Sequence, residues 1–168
     1  QSSVARGECV GVEGCGGALP TRRPRAGGMR AALRTLLGFA LVFAGISHLT
    51  TQRAEFQAQV PAWVPLSEDF VVLASGVVEI ALGGALVALL LPALARYRVV
   101  AGLVVAAFFV AIFSGNIGQW LEHKDAFGLD TDGARFVRLL FQPLLVAWAL
   151  WSTGAWGPLV AWVRARRS

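Results

Sequence analysis

Beyond residue 33 the apolar residues of this chain run in continuous blocks instead of alternating with polar ones. The first block, "LRTLLGFALVFAGISHL", covers about 33–50, and the second, "FVVLASGVVEIALGGALVALLLP", covers 70–92. The third, "VVAGLVVAAFFVAIFSGNIGQWL", covers about 99–121, and the fourth, "FVRLLFQPLLVAWALWSTGAW", about 136–156. A helix needs about 20 apolar residues to cross the hydrocarbon, and each block is adequate. Backbone groups find no water in lipid, so a crossing segment is a helix or part of a closed barrel. Unbroken apolar runs, where a barrel strand would alternate, select helices. The pattern therefore predicts an all-α, four-helix transmembrane bundle.

The positions of small and polar residues predict how those helices meet. Gly38 and Gly45 share a face of the first helix, and Gly76 and Gly83 share one of the second. Helices associate in lipid by close van der Waals contact, which small residues permit. Ser75, Glu79 and Gly83 follow at four-residue spacing, so Glu79 lies on that small-residue stripe and is expected to point inward. A charged side chain at the bilayer centre costs on the order of 2.5–3.5 kcal/mol on insertion scales. Once folded, Glu79 must find a partner or be neutral, and Arg138 and His48 are the candidates. A bidentate guanidinium fork from Arg138 is one way to meet it.

Placed along helices that rise 1.5 Å per residue, the polar side chains collect at one end of the bundle. His48 closes the first helix, and Glu79 sits roughly nine residues, about 14 Å, below the same end of the second. Asn116 and Gln119 lie in the corresponding part of the third helix, while Arg138 opens the fourth with Gln142 one turn deeper. These six residues form the candidate site, and the opposite halves of the helices carry almost no polar side chains. A structural clamp that fixes helix register is the simpler reading of the cluster, and ligand binding the sharper one. "VPAWVP", residues 60–65, reads as a stiff hairpin at the interface or as a lid over the cluster. No second histidine or cysteine shares the bundle, so no metal site is expected.

Charge orients the bundle. Arg30 and Arg34 flank the first helix, Arg96 and Arg98 fill the short second connection, and Arg164, Arg166 and Arg167 end the chain. The two longer loops hold most of the acids. Positive residues favour the cytoplasmic side, which predicts both termini on the cytoplasmic side of a plasma membrane and the polar cluster in its outer leaflet. Trp63 and Trp120 then fall at the outer interface, and Trp156 and Trp162 at the inner one. Composition agrees: 56% of residues are hydrophobic and only 15% charged, with a mean hydropathy of +0.62. The formal charge of +5 does not point to nucleic acid, because the arginines are parcelled between apolar runs rather than gathered on one face.

Residues 1–28 are a different material, rich in Gly, Arg and Ser without apolar periodicity, and are expected to be a disordered basic leader. Met29 is the only methionine and a candidate start. The transmembrane domain is expected over 29–157, and a basic cytoplasmic tail over 158–168. Phe108, Phe109 and Trp148 are expected on outer apolar faces, covered by lipid or by a second copy of the chain.

The segments "GFALVFAGISHL", "VPAWVP", "SGVVEIALGG", "FSGNIGQW" and "RLLFQPLLVAWALW" resemble, in order and spacing, those of DoxX-like bacterial membrane proteins. The resemblance covers about Arg30 to Trp151. Where relatives read Pro-Ala, Ser114-Gly115 stands here, so the resemblance does not carry a kink into the third helix. It implies a four-helix membrane bundle of the bacterial plasma membrane, linked in some relatives to quinone redox chemistry and to membrane oxidoreductase complexes. The leading expectation is a non-catalytic membrane subunit or assembly partner in a redox or stress-related complex. The alternative is a quinone-binding subunit of an oxidoreductase, with Glu79 exchanging the proton. A small proton-coupled transporter is the lesser alternative. Quinone is the one cofactor implied, and an oxidoreductase subunit the implied protein partner. No phosphate loop, nucleophile triad or metal spacing marks an independent enzyme.

Overall fold

The structure, a computed structural model, describes residues 26–128 and 131–167. They form α1 (Ala26–Leu49), α2 (Arg53–Gln57), α3 (Glu68–Ala88), α4 (Arg98–Leu121), α5 (Asp132–Thr153) and α6 (Trp156–Ala165), with a 3-10 turn at Pro92–Tyr97. Helices α1, α3, α4 and α5 are each long and apolar enough to cross a membrane. The protein is thus an all-α bundle of four candidate spans. Their outward faces are apolar, as lipid requires: Phe43 is 74% exposed and Leu144 63%.

Two antiparallel pairs make the bundle, α1 with α3 and α4 with α5, and contacts between the pairs are sparser. Glycine sets the first pair. A Cβ on Gly38 would sit 2.8 Å from the Gly83 carbonyl oxygen, and one on Gly45 2.5 Å from that of Gly76. The backbones therefore touch, as the shared faces predicted. In the second pair Gly102 packs directly against the Thr153 side chain. Leu37, Leu41, Leu86, Val105, Phe109 and Leu150 fill one core between the pairs. Phe109, expected on an outer face, is only 3% exposed. Its neighbour Phe108 and Trp148 pack against the core from its edge. A helix turns 100° per residue, so adjacent aromatics cannot share a face.

The helix ends follow local chemistry. Ser67 caps α3 by accepting from the Phe70 amide at 3.3 Å, with Glu68 and Asp69 in the first turn. Thr131 does the same for Ala134 at the start of α5. Gly154, at φ +76°, ends α5 in the left-handed conformation that glycine adopts freely.

Three boundary expectations change. Residues 1–25 of the expected leader lie outside the described residues, but 26–28 already belong to α1. Most of the expected tail 158–168 is helix, because α6 turns off α5 at Gly154. Arg34, expected to flank the first helix, is buried within it, so that half of the bundle is not free of polar side chains. It donates from Nη2 to the Leu89 carbonyl at 3.2 Å, one of the carbonyls that the end of α3 leaves without a helical partner.

Candidate functional site

The end of the bundle opposite Arg34 holds a cavity of about 550 Å³ between the two helix pairs. It falls within the range of about 300–1,000 Å³ typical of small-molecule sites. Its body is apolar, lined by residues such as Leu41, Val72 and Ile112. Its polar groups lie on two walls.

On the first wall, α1 contributes His48 and α3 contributes Ser75 and Glu79. His48 is 6% exposed and Glu79 4%. Glu79 is there because Val72, Gly76, Glu79, Gly83 and Leu86 form the buried stripe of α3. His48 Nδ1 lies 3.4 Å from Glu79 Oε2 and 3.3 Å from Ser75 Oγ. The approach to Glu79 is close enough for an ion pair but not aligned as a hydrogen bond. Oε2 is consequently buried without a donor among the described residues. Ser75 Oγ also donates to the Val72 carbonyl at 2.9 Å, which fixes its position.

On the second wall, α4 and α5 contribute Asn116, Arg138 and Gln142. Gln142 Nε2 donates to the Phe109 carbonyl at 2.6 Å, and its Oε1 accepts from Asn116 Nδ2 at 3.2 Å. Arg138 Nη2 donates to Gln59 Oε1 at 3.2 Å, and its guanidinium lies 4.6 Å from the centre of the Phe127 ring. No carboxylate pairs with Arg138 among the described residues. The expected Glu79–Arg138 clamp is therefore not formed: the two side chains belong to opposite walls. Arg138 turns toward the connection between α1 and α3, whose Gln59 accepts one of its N–H groups. Gln119 is 2% exposed and stands behind the cavity rather than on it. Its Oε1 accepts from Gln59 Nε2 at 2.9 Å, which joins it to Arg138 through one amide. Five of the six expected residues thus line the cavity and the sixth braces it.

The connection 50–67 roofs the site. Phe56, Gln59, Val60 and Pro61 line the cavity from above, and Pro61 lies over Gly118, where an added Cβ would meet its ring at 3.3 Å. Val60 and Pro61 begin "VPAWVP", so the lid expectation describes their placement, while Trp63 is 70% exposed. The roof is tied at several points. Arg53 pairs with Asp69, Lys124 Nζ donates to the Val60 carbonyl at 3.4 Å, and Glu55 accepts from the Phe127 amide at 2.6 Å. Phe127 adopts a left-handed φ of 57°, and its ring meets Phe56 edge-on at 4.6 Å. Phe56 in turn stands edge-on to the His48 ring at 3.5 Å. The loop before α5 is organised by buried Arg135, which bonds Asp125, Asp132 and the Lys124 carbonyl.

Gln59, Phe56 and Arg135 escaped sequence reasoning. Gln59 and Phe56 lie in a connection without periodicity, and Arg135 precedes the fourth apolar run. Only the mixture of polar and apolar residues in "AEFQAQVP" hinted at a segment that packs on something.

A family model described as "Domain of unknown function (DUF8561)" matches residues 37–153, and the chain belongs to that family. The match takes in both walls and the roof. No curated protein and no solved structure matches the chain.

Proposed function

We propose that this member of a family without an assigned role is a membrane subunit that binds a small lipophilic carbonyl compound of the quinone class. One observation carries the reading. A cavity of small-molecule size is walled by apolar side chains and flanked by an acid oxygen without a donor and a guanidinium without an acid among the described residues. Buried polar groups are normally satisfied, and unsatisfied ones at a cavity suggest a missing guest. A flat ring with oxygens on opposite edges suits two polar walls that face each other across an apolar floor. Arg138 has five N–H donors, and the described contacts occupy one. Asn116 adds a further donor, because its second amide hydrogen is not used by Gln142. Reduction of a quinone to the quinol takes up two electrons and two protons; a partner oxidoreductase would supply the electrons, Glu79 would pass one proton to a carbonyl oxygen, and the second proton would come from water at the open end of the cavity.

The likeness of "SGVVEIALGG" and "FSGNIGQW" to DoxX-like proteins supports the same class of chemistry. The arginines at the far end from His48 support an orientation with both termini in the cytoplasm and the cavity in the outer leaflet of a bacterial plasma membrane. A second reading draws on the chain Phe109–Gln142–Asn116 and the Gln59–Gln119 bond. There the polar side chains only join helices, and the protein is a non-catalytic assembly partner.

Titration of the purified protein in nanodiscs with decylubiquinone separates the two. Bonds to charged groups contribute about 1.5–3 kcal/mol, so Arg138→Gln is expected to weaken binding at least tenfold. Glu79→Gln is expected to preserve yield and helicity while lowering affinity. If wild type does not bind the analogue, or if Glu79→Gln lowers only yield, the assembly reading takes its place.

A further inference from the structure

At the Arg34 end, a second groove of about 620 Å³ runs between α1 and α5, lined by Leu33, Ala147, Trp148, Trp151 and Trp156. Its walls are almost wholly apolar. Trp156 also opens a neighbouring hollow along α6, formed with Leu159, Val160, Val163, Arg164 and Arg167. The two hollows share that indole as a wall. The groove thus reaches from Ala147 to Trp156, and Arg164 and Arg167 line the hollow on the other side of that indole. Arg30 lies over the Trp151 ring at 5.3 Å, on the rim. None of Arg30, Arg164 and Arg167 is in an ion pair among the described residues.

Helix α6 suits an interface. Leu159, Val160 and Val163 are half-buried toward the hollow, while Trp162 and the arginines are exposed. Such a short helix with one apolar side and a cationic end lies in the headgroup plane rather than across the bilayer. An apolar slot that descends into the hydrocarbon from a cationic rim has the shape and charge of an acyl chain beneath an anionic headgroup.

We propose that this groove is a binding site for one anionic glycerophospholipid. Its acyl chain lies along Leu33, Ala147 and Trp148, and its phosphate lies among Arg30, Arg164 and Arg167. The site is distinct from the cavity at the His48 end and does not depend on what that cavity binds. Anionic headgroups gain about fivefold in affinity for each arginine near the surface, so selectivity over a zwitterionic lipid of the same chains is the signature.

The test uses the full chain in phosphatidylcholine bilayers doped with a lipid brominated on one acyl chain, carrying either a phosphatidylglycerol or a phosphatidylcholine headgroup. Bromine quenches tryptophan on contact. Quenching is expected at a mole fraction of the phosphatidylglycerol form at least about fivefold lower, the effect of a single arginine. R164Q/R167Q is expected to erase most of that excess, and Ala147→Phe, which fills the slot, to reduce it with the arginines intact. Helicity by circular dichroism verifies the fold of each variant. Equal quenching by both headgroups would reduce the groove to ordinary lipid contact and overturn the proposal. So would an excess that survives both variants. Absence of headgroup-dependent quenching because another segment or a second copy covers the groove would overturn it equally.

Discussion

Gly45→Ala is the sharpest test of how the site is held, because the added atom meets backbone that cannot turn away. Its Cβ would lie 2.5 Å from the Gly76 carbonyl oxygen, 2.8 Å from Ile80 Cγ1 and 3.1 Å from Glu79 Cβ. Ordinary contact begins at 3.4 Å, so α1 and α3 must separate locally by about 0.9 Å (3.4 minus 2.5). Overpacking of this kind costs about 1–3 kcal/mol, and a rigid carbonyl oxygen argues for the upper half of that range. A loss of about 2–3 kcal/mol lowers the folded-to-unfolded ratio about 30- to 140-fold, at 1.4 kcal/mol per decade. Glu79 is itself one of the displaced groups, so the carboxyl moves with respect to His48 and the cavity. Reversible unfolding by sodium dodecyl sulfate in mixed micelles, followed by circular dichroism, measures the loss. Gly84→Ala is the matched control, since a Cβ there meets nothing within 4 Å, and it is expected to be neutral. A Gly45→Ala protein within about 0.5 kcal/mol of wild type would refute the claim that backbone contact between α1 and α3 supports the first wall.

Gln142→Leu removes the bonds to the Phe109 carbonyl and to Asn116, and is expected to cost about 1–2 kcal/mol in the same titration, since interhelical hydrogen bonds average about 0.6 kcal/mol and reach about 1.7. Adding Asn116→Ala to it is expected to cost less than the sum of the single changes, because the two amides act as one connection. Gly154→Ala forces a side chain into the left-handed region at φ +76° and is expected to cost about 1–2 kcal/mol, read as a lower unfolding midpoint.

The spans, their small-residue faces and the inward direction of Glu79 were all legible in the sequence, and for one reason. Each is a property of a single helix with a fixed turn angle. Val72, Gly76, Glu79, Gly83 and Leu86 fall on one stripe whatever the rest of the chain does. Partner choice is not such a property. Glu79 faces His48 because glycine brings α1 onto α3, and Arg138 faces Gln59 because the 50–67 connection folds over α5. Nothing periodic encodes a connection of that sort. Phe109 was misplaced because Phe108-Phe109 reads as one aromatic block until helical rotation separates the rings. Helix α6 was read as a tail because ten residues with arginines at the end look like a solvated terminus until Gly154 is seen to redirect them.

The cavity lies at the seam between two helix pairs, not inside either of them. The glycines that clasp α1 to α3 do not touch the residues of the second wall, and Gly102 against Thr153 does not touch the first. Substitution at Ser75, Asn116 or Arg138 therefore changes the lining of the cavity while leaving each clasp intact. The chemistry of the walls and the pairing of the helices are thus separable, and one can change without the other.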